Sequence, residues 1–163
     1  MERSAIRQST EADPMKSKIL SDIEGRREWA LIFDSDDEVM KELEHFAQSQ
    51  HLSAAHFTGI GAFAKVTVAW FDLKTKSYMP IEINEQVEVL SLIGDVAESQ
   101  GKPSVHAHIC VGRRDGTAHG GHLKSGRVRP TLELIVIESP AHLRKTFRPE
   151  FGLPLIDLDR GSK

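Results

Sequence analysis

Between residues 105 and 111 the apolar side chains Val105, Ala107, Ile109 and Val111 fall on every second position. That is the period of a strand with one buried face, and it puts His106, His108 and Cys110 together on the other face. Short apolar or alternating runs recur at 29–33, 54–60, 63–73, 81–96, 131–138 and 153–158. They predict a chain built mainly of strands, with a tight turn at Gly61, turn chemistry over 74–80 and a loop over 99–103. Helical spacing is found at Val39, Met40, Leu43 and Phe46. It comes after the run Asp34, Ser35, Asp36, Asp37, Glu38, whose side chains suit a helix N-terminus. This helix is expected to end near His51, and a second helical segment is expected over 139–145. Strands outnumber helices and the helices are segregated, so the expected class is α+β, with a mainly antiparallel twisted sheet and one or two helices.

Residues 1–24 carry no hydrophobic period and include Pro14, so they read as a mobile leader. The folded domain is then expected over 25–158 and a short tail over 159–163. A chain of 163 residues is one domain's worth. With 21 Lys and Arg against 24 Asp and Glu, the formal net charge is −3, which leaves no cationic surplus for neutralising nucleic-acid phosphates. The densest basic stretches, 124–129 and 144–148, are a few charges each. Apolar runs such as 30–33 and 134–137 are far too short to span a bilayer. Residues 1–18 lack the apolar segment of a secretory signal. The single cysteine, Cys110, fits a reducing compartment, and a cytoplasmic location is expected.

The candidate chemistry lies in histidines. On a strand, residues i and i+2 point the same way roughly 6 to 7 Å apart, so His106 and His108 can converge on one ion. A third ligand normally comes from another segment. His122 lies beyond an Asp115-Gly116 turn and directly after the pair Gly120-Gly121, which lets the backbone approach closely. Three neutral imidazoles with an open position suit zinc, with nickel, iron or manganese as alternatives. The competing reading puts the strand histidines on a solvated face with no ligand. His119 precedes the glycines and is expected to be exposed or to support a ligand from behind.

Glu88 shares a strand face with Leu90 and is a candidate general base near the metal, its bland alternative being a structural ion pair. Glu133 has similar placement, and Cys110 reads as a small buried thiol. Gly59-Ile60-Gly61-Ala62-Phe63-Ala64 nominally fits a dinucleotide-binding fingerprint. The next residues, Lys65 to Trp70, are β-branched and strand-like, where the fingerprint needs a helix N-terminus. The segment 125–130 reads as a loop rather than as a minor-groove arm.

Taken in order, Gly59-Ile60-Gly61-Ala62, the run 88–94, His106-Ala107-His108, Asp115-Gly116, Gly120-Gly121-His122-Leu123 and Thr131-Leu132-Glu133 resemble the PPC domain, named for plants and prokaryotes and also known as a PD1-like DNA-binding protein. The resemblance covers about residues 25–158. It implies a homotrimer, and in the stand-alone prokaryotic form a zinc held by the three histidines, here His106, His108 and His122. In plants the domain follows AT-hook segments, which this sequence does not contain. The fold is also similar to that of acetolactate decarboxylase, a metal-dependent lyase. Two functions are therefore expected to compete. One is a trimeric metal-binding module with a regulatory or DNA-binding role. The other is a metal-dependent enzyme, a lyase or hydrolase, acting on a small carboxylate or carbonyl compound.

Overall fold

The computed structural model describes residues 15–160. Among these residues nine strands and one α-helix run in the order β1 (Lys16–Ile23), β2 (Arg26–Phe33), α1 (Val39–Ser49), β3 (Ala54–Asp72), β4 (Ser77–Ile83), β5 (Val87–Ser99), β6 (Lys102–Gly112), β7 (Ala118–Glu138), β8 (Lys145–Arg148) and β9 (Leu153–Ile156). The first seven strands form one antiparallel sheet in the order β1-β2-β7-β6-β5-β3-β4, and β3 pairs with β7 as well. That extra pairing joins β7, β6, β5 and β3 in a ring, so the sheet curls back on itself. The class is α+β, as the pattern predicts.

The alternation that marks the strands in sequence is the alternation that fills the core. Ala107, Ile109 and Val111 of β6, Leu132, Leu134 and Val136 of β7, and Leu92 and Val96 of β5 are all buried. Helix α1 covers this face with Val39, Leu43, Phe46 and Ala47, and the Phe46 ring meets Trp29 edge-on at 5.5 Å. Arg27 donates to both carboxylate oxygens of Glu138 at 2.6 and 3.0 Å and to the Gln50 carbonyl at the helix end, fastening β2, β7 and α1 together.

Several local expectations change. Part of the segment read as a leader, 16–23, is strand β1, paired along β2. Its Ile19, Leu20 and Ile23 are exposed, so burial leaves no period there to read. Residues 1–14 lie outside the described residues, as do 161–163 of the expected tail, and Leu158–Arg160 is one 3-10 turn. Gly61 is not a turn between strands. It sits at a bulge where the pairing of β3 with β5 shifts register, and β3 runs through it. A Cβ at Gly61 would lie 2.4 Å from the Thr131 carbonyl oxygen, so close backbone approach explains this glycine. The stretch 125–130 belongs to the continuous strand β7 rather than to a loop. Over 81–96 the chain breaks into β4 and β5. Residues 139–145 form no second helix; they run irregularly into β8.

Candidate metal centre

The centre is built on two neighbouring strands, β6 and β7. On β6 the outward parity places His106 and His108 two residues apart. On β7 His122 stands directly across from His108. The three imidazoles meet with ring centroids 5.0, 5.1 and 5.5 Å apart. Each offers one ligand nitrogen, and these atoms lie within 4.8 Å of one another. Three nitrogens on a tetrahedral zinc stand about 3.3 Å apart at ordinary bond lengths, so modest side-chain rotation would complete the contact.

The glycines make this geometry possible. A Cβ on Gly120 would stand 2.7 Å from the Ile109 carbonyl oxygen, and one on Gly121 2.8 Å from that of Ala69. β7 can therefore lie close between β6 and β3 only where it has no side chains. A Cβ on Gly94 would come within 2.4 Å of the His106 carbonyl oxygen and 2.2 Å of Phe57.

Four residues that the sequence pattern does not mark as site groups complete the surroundings. Asp95 of β5 pairs across from His106, and its carboxylate lies 3.4 Å from His106 Nδ1. A carboxylate behind an imidazole fixes the ring's orientation and raises its basicity as a ligand. Lys145 Nζ lies 3.2 Å from the other oxygen of Asp95. Tyr78 of β4 stacks on the His122 ring at 4.4 Å, and Lys124 Nζ stands 4.0 Å over the Tyr78 ring.

Electrostatics favour neutral ligands. Burial, then the neighbouring charges of His106, Lys124, His108 and Lys145, depress the His122 pKa to about 4. His108 is lowered by burial and by His106, against the pull of Asp95. Burial is the largest influence on Asp95 and works upward, but the His106 contact and the charge of Lys145 outweigh it and hold the carboxyl below its usual range. His122 Nδ1 is also buried with no hydrogen-bond partner. An unsatisfied buried nitrogen costs about 1–3 kcal/mol, a cost that a bond to a metal would remove. Donor type, mutual distance and the orphaned atom all fit a divalent transition metal.

The other candidates fall elsewhere. Glu88 faces outward opposite Gly112 and Ala62. It lies five positions along β5 from Ile93, the residue across from His108, which is roughly 16 Å of strand. Within the chain it is not brought to the histidines. It lines instead a shallow depression shared with Glu133, Ile60 and Thr131. A bulge between Val89 and Ser91 separates the stretch holding Glu88 from the one holding Asp95. His119 stands across from Val111, on the face opposite to His122, and is exposed. Cys110 shares the histidine face two residues beyond His108, half-buried and free, outside the three-histidine group.

A curled antiparallel sheet with one covering helix and an outward-facing trio of histidines defines a small α+β domain with a candidate metal centre. The chain belongs to the Plants and Prokaryotes Conserved (PCC) domain family, whose model matches residues 21–140. Among solved structures it is similar to a candidate DNA-binding protein of Bacteroides thetaiotaomicron, with 28% identity, a TM-score of 0.83, and coverage of 91% of this chain and 100% of that one. It is also similar to a metal-containing protein of Archaeoglobus fulgidus, with 28% identity, a TM-score of 0.74, and coverage of 89% and 99%. The α-acetolactate decarboxylase of Bacillus subtilis shares the fold alone, at 14% identity and a TM-score of 0.50 over 68% of this chain and 51% of that one. The bifunctional protein GlmU of a Synechococcus strain is 29% identical over 122 residues, 74% of this chain. The chain spans 18% and 16% of the lengths of the two such curated relatives it matches. Among the described residues no helix is long and apolar enough to cross a membrane.

Proposed function

We propose that this protein is a homotrimeric, cytoplasmic metal-binding module that holds zinc through His106, His108 and His122. The observation that carries this reading is the convergence of three imidazoles from two paired strands, ligand atoms within 4.8 Å, with one buried nitrogen left without a partner. The metal-containing relative from Archaeoglobus fulgidus supports it. Asp95 would hold the His106 ring, and the Tyr78 stack would hold that of His122. A zinc ion bound there supplies Lewis acidity toward a ligand oxygen or a water.

Three protein ligands are fewer than the four of a closed structural site, and this favours the alternative of a metal-dependent lyase or hydrolase acting on a small carboxylate or carbonyl compound. In such an enzyme Glu88 of the same chain would stand too far from the metal to serve as its base. The DNA-binding role suggested by the Bacteroides relative has the net charge of −3 against it.

Metal analysis of the purified protein tests the proposal. One zinc per chain is expected in the wild type, and its loss in a His108→Ala, His122→Ala double variant that keeps its circular dichroism. A wild type that takes up no metal, or a double variant that retains it, would overturn the reading.

A further inference from the structure

We propose that the cavity beside the three histidines takes a small organic carboxylate, its anionic group on Lys145 and its aliphatic body against β9. The proposal rests on the metal reading above. The cavity measures about 360 Å³, within the range of small-ligand clefts. His106, His122, Tyr78, Asp95 and Lys145 line it together with Leu153 to Ile156.

Lys145 is what makes this a recognition site. Its side chain is only 5% exposed, unusual for an ammonium on a four-carbon stem. Its contacts are long for a charged group, 3.2 Å to Asp95 and 3.4 Å to the Ser104 carbonyl. An ammonium has three protons, so one donor remains for a ligand. The β8–β9 hairpin supplies both this cation and the apolar wall, since Lys145 pairs across from Ile156 and Thr146 from Leu155. Sequence and register thus place charge and hydrocarbon side by side.

Charge decides the sign of the ligand. Asp95 and Lys145 cancel, so a divalent ion held by the imidazoles would leave the cavity with an excess of positive charge. One free ammonium donor beside a hydrocarbon wall suits a monoanion with a short alkyl body. A nucleic-acid backbone or a polyphosphate would need several cations, which this cavity lacks.

Calorimetric titration of butanoate into the zinc-loaded full chain is the test, with butanamide as the uncharged counterpart. Butanoate is expected to bind at least tenfold more tightly than butanamide and to lose at least tenfold in affinity in Lys145→Met. Because that variant leaves Asp95 without its cation, Leu155→Asp provides a second probe. It sets a like charge in the wall at a 40% exposed position and is expected to abolish butanoate binding while one zinc per chain remains. Equal binding of butanoate and butanamide, or butanoate binding unchanged in both zinc-loaded variants, overturns the carboxylate site alone. A wild type that takes up no zinc overturns the metal reading and the carboxylate site with it.

Discussion

His122 carries the sharpest consequence at the scale of a single residue. In the folded, metal-free chain its pKa is depressed to about 4, whereas an imidazole in an unfolded chain titrates near about 6.5. Above the unfolded value the ring is neutral in both states and its ionisation does not affect stability. As the pH falls from there toward 4 the unfolded chain binds a proton that the folded chain refuses, so folding weakens. His108, lowered for similar reasons, acts with the same sign. Urea unfolding of the chelated protein should therefore show a lower midpoint at pH 5 than at pH 7.5, and His122→Gln should narrow the difference. An equal drop in the variant would show that the sensitivity lies in other groups. The strand parity of His106 and His108 was readable from four apolar neighbours. The pairing of His122 with His108 was readable only in outline, because the glycines that permit it say that something is close without saying what.

At the scale of elements, α1 depends on one acidic side chain. Glu38 accepts from the backbone N–H groups of Met40 and Lys41 at 3.4 and 2.8 Å, and from that of Gly126 on β7 at 2.9 Å. It therefore caps the helix and ties it to the sheet. Glu38→Ala is expected to lower the unfolding free energy by about 1–2 kcal/mol, measured in denaturant, with zinc stoichiometry unchanged. The acidic run before the helix signalled a cap, but no periodicity could choose Glu38 from among its neighbours. The β5–β6 hairpin shows what more was available. Gln100 and Gly101 both have positive φ, 52° and 79°, as a two-residue hairpin turn demands. Counting outward from that turn sets Asp95 against His106. Read as a loop over 99–103, the same residues concealed the carboxylate at the site. Lys145 left no comparable signal, since its burial comes from the docking of β8 near β5, a contact distant in sequence.

For the whole molecule, all three proposed ligands come from one chain, on β6 and β7. Assembly and metal binding should then separate. Light scattering is expected to give the mass of three 18.2 kDa chains both before and after chelation, while chelation lowers the melting temperature. Dissociation on chelation would instead place the ion between subunits. The fold class was legible because alternation reports a half-buried sheet directly. The curl was not, because it arises from β7 changing partners partway along its length, and a pattern of period two is the same whichever strand lies alongside.

That change of partners also sets an order in time. β7 bonds to β2 over 132–137, to β3 along most of its length and to β6 over 118–122, so strands formed much earlier in the chain must wait for it. Such distant pairings are slow to close. On a ribosome the first two histidines would emerge well before the third could be aligned with them, and Lys145 later still. Metal present during synthesis would meet at most a two-point site, and full affinity would arrive only when the last long strand closes the sheet.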